Sequence, residues 1–130
     1  MKGIFRIAND LRDRTIRLRM AGEYDLSGMQ RLAQELRRAT DEYGDRSHLI
    51  LADMRGMLPL APVVAHVFGE LIAYTRHHGV VRCAHLSDDT VQMLQARRLG
   101  RQSTPSEDLT VNVVSLDEAE RVLAEMRTKL

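Results

Sequence analysis

Between His48 and Phe68 the chain reads HLILADMRGMLPLAPVVAHVF, and few folds accommodate that string. Leu49, Ile50, Leu51 and Ala52 are apolar at consecutive positions. Successive strand residues point to opposite faces, so a strand here is apolar on both sides. It must be covered on both faces, which makes it a central strand of an α/β sheet. The run ends in Asp53-Met54-Arg55-Gly56, crosses a loop holding Pro59 and Pro62, and resumes with helical spacing. A buried strand that feeds a loop and a helix N-terminus is where α/β domains often place function.

The flanking sequence supplies the remaining elements. Gly3 to Ala8 and Thr15 to Met20 are short alternating runs joined by the polar stretch Asn9 to Arg14, the pattern of a hairpin. In the second run Ile16, Leu18 and Met20 fall on one side and Arg17 and Arg19 on the other. A helix is expected from Asp25-Leu26-Ser27-Gly28, with Ser27 and Gln30 at capping-box spacing, an inner stripe of Met29, Leu32, Ala33, Leu36 and Tyr43, and Gly44 as its stop. The next helix spans about Pro62 to His78, with Pro in its first turn and Val63, Val64, Val67, Phe68, Leu71, Ile72 and Thr75 inward. Val80 to Leu86 reads as a strand. Asp88 or Asp89 caps a short helix carrying Val91, Leu94 and Leu99, and Gly100 to Asp108 is a loop. Leu109 to Val114 is the last strand. Ser115 with Glu118 forms a second capping box, opening a terminal helix with Ala119, Val122, Leu123 and Met126 inward. The order β-β-α-β-α-β-α-β-α predicts a single α/β domain over 1–130: a mixed, mostly parallel sheet with an N-terminal hairpin and about four packed helices.

Bulk properties remove several function classes. A net charge of +1 gives no basic field for nucleic acid, and 4% aromatic residues make a poor base-stacking platform. No apolar run reaches membrane-spanning length, and MKGIFRIAND lacks an apolar leader core, so a cytoplasmic protein is expected. The single Cys excludes an internal disulfide framework. No GxGxxG or GxxxxGK[ST] loop is present. His48, His66 and His85 are scattered, His77 and His78 suit a helix C-terminus, and Cys83 reads as a core strand residue, so neither a metal site nor a cofactor is expected. Arg97, Arg98 and Arg101 form a small basic cluster, read as a solvated helix face or an anionic partner surface.

Three segments, ILADMRGMLPLAPVVAHVF, DDTVQMLQARRLG and VVSLDEAERVLAEM, together with the element order, resemble the STAS-domain or anti-sigma-factor-antagonist (SpoIIAA-like) family over nearly the whole chain. The likeness implies a non-catalytic regulatory or scaffold module that binds a regulatory protein partner, or itself as a homodimer. Family members that act as phosphorylation switches resemble one another in a Ser or Thr at the start of the second helix. Aligning Asp53 with the strand-end Asp places Ala61, Pro62 and Val63 there, and none carries a hydroxyl. What the resemblance leaves is binding without phosphorylation. A neighbouring branch with the same fold implies the alternative, a lipid or small apolar ligand held between the second helix and the sheet.

The candidate partner-binding residues are Asp53, Arg55, Met57, Leu58 and Val63. Asp53 stands at the strand's carboxyl end, either bracing the Gly56 to Leu60 backbone or meeting a partner. Arg55 is an extended cation of the type enriched at interface hot spots. Met54, Met57, Leu58 and Leu60 either form an exposed apolar patch or plug the core end beneath the second helix, and the sequence leaves both open.

Overall fold

The computed structural model describes residues 1–88 and 109–130. Within them lie strands β1 (Ile4–Asp10), β2 (Thr15–Ala21), β3 (His48–Asp53), β4 (Val80–Leu86) and β5 (Thr110–Val113) and helices α1 (Leu26–Asp41), α2 (Pro62–His77) and α3 (Leu116–Arg127). The expected helix with Val91, Leu94 and Leu99, the loop to Asp108 and the Arg97, Arg98, Arg101 cluster lie outside the described residues.

The strands form one five-stranded sheet in the order β1-β2-β3-β4-β5. β1 pairs antiparallel with β2, and every later pairing is parallel. The mixed sheet with its N-terminal hairpin is as expected, and β3 is its middle strand, buried along its whole length. Its alternation divides the core. Ile50 and Ala52 belong to a cluster with Ile16, Leu18, Met29, Leu32, Leu36, Phe68 and Leu71, under α1 and α2. Leu49 and Leu51 belong to a second cluster with Ala84, Leu86, Val113, Ala119 and Leu123, under α3. Strand order advances in one direction from β2 to β4, so right-handed crossovers put α1 and α2 on the same face.

The helix starts show which capping expectations hold. Ser115 caps α3, its Oγ accepting from the Glu118 amide at 3.1 Å; Glu118 reaches back one residue further than a capping box requires, to the Val114 amide at 2.9 Å. The Ser27–Gln30 box does not form. The cap of α1 is Asp25, whose Oδ1 accepts from the Gly28 amide at 2.7 Å, and Ser27 lies inside the first turn, its Oγ accepting from Arg31 at 3.1 Å. α2 begins with Pro62 and has no side-chain cap at Ala61. Its inner stripe is narrower than expected: Val64, Phe68, Leu71 and Thr75 are buried, whereas Val63 is exposed.

No described helix is long and apolar enough to cross a membrane.

Candidate functional site

β2, β3, β4 and β5 all end at the same edge of the sheet, and α1, α2 and α3 start there. β1 runs the other way, so its first residue, Ile4, pairs with the last residue of β2, Ala21, at that same edge. All but one of the exposed large apolar side chains among the described residues gather there: Met1 and Ile4, Leu26, Leu58 and Val63, and Val114 and Leu116. Leu11, in the hairpin turn, is the exception. The loop between β3 and α2 lies in the middle of this edge.

Asp53, the last residue of β3, shares a face with Leu49 and Leu51 and pairs in register with Arg19 of β2. Its carboxylate is 9% exposed. Arg55, two residues on, closes on it as a fork: Nε donates to Oδ1 at 2.9 Å and Nη2 to Oδ2 at 2.8 Å, with the Arg55 amide at 3.3 Å from Oδ1. Arg19 Nη1 lies 3.6 Å from Oδ1. Burial pushes the Asp53 carboxyl up, but the Arg55 hydrogen bonds and the charges of Arg19 and Arg55 outweigh it and hold the carboxyl below its usual range. The same fork raises the Arg55 guanidinium above its ordinary value.

The loop is therefore braced, though by other donors than expected. Asp53 receives Arg55 and Arg19 rather than the Gly56 to Leu60 backbone, because those amides face elsewhere. Gly56 donates to Asp88 Oδ1 at 3.2 Å, Met57 to Met54 O at 3.3 Å and Leu58 to Gly22 O at 3.1 Å. Gly22 in turn donates to Gly56 O at 2.9 Å, so the loop extends the β2–β3 pairing by one bridge. Gly22 has φ +87°, and a Cβ there would meet Lys2 O at 2.7 Å. Arg19 completes the brace, its Nη1 donating to Arg55 O at 2.6 Å, Met20 O at 2.7 Å and Asp53 O at 3.3 Å.

The five expected residues separate by exposure. The Arg55 side chain is 44% exposed, Leu58 43% and Val63 58%. Met57, 4% exposed, joins the core cluster beside Met54 and Val64, so its side chain is core rather than surface. Met54 is also core, with its Sδ 3.1 Å from His85 Nε2. His85 Nδ1 lies 3.1 Å from Asn112 Oδ1 on the neighbouring strand, and burial pushes the imidazole pKa down. Arg19, Gly22 and Asp88 were missed as site residues. The alternation of β2 put Arg19 on its polar side, a usable signal, but its distance from Asp53 depends on strand register.

Between α2 and the sheet the described residues line an apolar cavity of about 60 Å³, bordered by Ile50, Phe68, Leu71, Ile72, Cys83 and His85. Among the described residues no three His, Cys, Asp or Glu side chains converge as a metal cluster. His66 pairs with Glu70 and His78 with Asp45, both at 2.7 Å, on the surface. In comparison with known proteins, no family model matches this chain, and no curated protein matches it.

Proposed function

We propose that this chain is a non-catalytic regulatory or scaffold module of the STAS kind, which docks a protein partner or a second copy through the 53–63 loop and the first turn of α2. The observation that carries the reading is the exposure of Leu58 and Val63 on a braced loop, at the sheet edge where all but one of the other exposed large apolar side chains among the described residues also gather. Exposed apolar groups in such a concentration mark interaction surfaces. A braced loop loses little conformational freedom when it binds, which lowers the cost of association. Ala61, Pro62 and Val63 offer no hydroxyl at the start of α2, so docking here runs without phosphorylation of that turn.

The alternative, a lipid or small apolar ligand, has the cavity under α2 in its favour. At about 60 Å³ that cavity is far below the roughly 300–1,000 Å³ of small-molecule pockets. Leu58 faces solvent rather than the cavity. Protein docking is therefore the stronger reading.

The test is a pull-down followed by native mass spectrometry on the wild type and on Leu58→Asp and Val63→Asp. Both side chains are exposed, so the variants are expected to melt like the wild type and to lose the captured partner or the dimer. Capture unchanged in both variants, or retention of a small ligand in place of a protein, would overturn the reading.

A further inference from the structure

Asp53 has two arginines around one carboxylate, and they are not held equally. Arg19 Nη1 is fixed by three backbone carbonyls, those of Met20, Asp53 and Arg55. Withdrawing it would leave all three without that donor. Among the described residues the hydrogen bonds of the Arg55 guanidinium run only to Asp53, and the side chain is 44% exposed. If Arg55 swings away, Asp53 keeps the Arg19 cation beside it. A third guanidinium, the exposed Arg6, stands directly opposite Arg19 on β1. Two cations, Arg19 and Arg55, thus flank one carboxylate on this face, with Arg6 beyond Arg19 and Asp88 a further acidic group at the loop.

We infer that Arg55 is an exchangeable clamp: closed on Asp53 in the free chain, it transfers its fork to a carboxylate of an acidic partner segment on docking. The inference rests on the docking reading above and names the partner's chemistry. A planar guanidinium grips any carboxylate in the same two-bond geometry, so Asp53 occupies the fork as the partner's side chain would. The Arg55 arm of the pair is exposed, and Arg19 stays beside the buried Asp53 carboxylate when that arm leaves, which limits the cost of exchange. A guanidinium that already grips a carboxylate in the free chain makes an acidic segment, rather than a basic one, the complementary occupant.

The experiment is fluorescence anisotropy with a labelled glutamate-rich peptide and its glutamine counterpart. The wild type is expected to bind the glutamate peptide alone, and less tightly as salt rises. Arg55→Gln should weaken that binding. Asp53→Asn removes the internal competitor and should tighten it by about two- to fivefold, the worth of an exposed ion pair. In the double variant the tightening should vanish. If it persists without Arg55, bulk charge is responsible and the clamp is wrong. No binding of the glutamate peptide, or equal binding of both peptides, overturns it as well. Should Asp53→Asn fail to fold, the wild-type Arg55 Nε resonance decides: movement on peptide addition supports exchange, and a static resonance refutes it. Capture of a natural partner that is lost in Leu58→Asp but unchanged in Arg55→Gln would leave docking intact and remove the clamp alone.

Discussion

Met57 and Leu58 are neighbours in sequence with opposite environments. The first is sealed in the core and the second is 43% exposed. Met57→Asp would bury a carboxylate without a partner and should abolish cooperative folding, whereas Leu58→Asp should leave the melting curve nearly unchanged. Circular-dichroism melts of the two variants check the pair, and a folded Met57→Asp protein would contradict the core assignment. The start of α1 offers a second residue-scale test. Asp25 holds the Gly28 amide, and Ser27 sits two positions too late to cap. Asp25→Ala should cost about 0.5–2 kcal/mol, as should Ser115→Ala at α3. Ser27→Ala should stay within about 0.5 kcal/mol, the range of ordinary surface changes. Asp25 and Ser27 are both good capping types, and only the backbone conformation at Asp25 (φ −88°, ψ 176°) distinguishes the true cap.

At the scale of elements, α2 is the helix whose start is least well served. Ala61 has the extended backbone of a cap residue but no side-chain oxygen, and it is exposed. Ala61→Asp should therefore supply a side-chain acceptor for the first-turn amides and raise stability by about 1 kcal/mol in denaturant titrations. No gain would mean those amides are already satisfied. The bridge between the end of β2 and the loop is the second element-scale feature. Gly22→Ala places a Cβ against Lys2 O at a positive φ and should destabilise by about 1–3 kcal/mol. Hydrogen exchange should report faster exchange at the Leu58 amide, which bonds to Gly22 O. Unchanged exchange there would show that the loop keeps its shape without this tie.

At the scale of the whole molecule, two buried histidines tie stability to pH. His48 begins β3, fully buried, stacked on Tyr43 at 4.0 Å, with Nδ1 2.7 Å from Arg46 O. His85, next to last in the neighbouring β4, packs against Met54. Burial lowers the pKa of both below 6.5. As pH falls below 6.5 the unfolded chain takes up protons that the folded chain refuses, so stability present above 6.5 is progressively lost. The Asp53 carboxyl contributes in a lower window, since its pKa is held below 3.8. Melting temperature should therefore already decline between neutral pH and about pH 5, before carboxylates protonate. His85→Asn, if folded, should flatten that decline. A melting temperature constant across the interval would count against both histidine assignments.

The sequence by itself determined the elements: the hairpin, the two-faced central strand, the helices from Pro62 and Leu116, and the loop that closes β3. Each follows from local periodicity or from a chain-breaking residue, which act over a few neighbours. Tertiary structure decided which loop residues point outward, because Met57 and Leu58 are both apolar and only packing beneath α2 separates them. It also decided what Asp53 binds. Arg19 is 34 positions away in the chain, and strand register alone brings its guanidinium beside the carboxylate. The exposed apolar side chains of this edge come from the chain start, α1, the β3–α2 loop and the starts of α2 and α3, and only sheet topology gathers them there. Local rules carry no information about such non-local pairings, which depend on how the sheet is assembled.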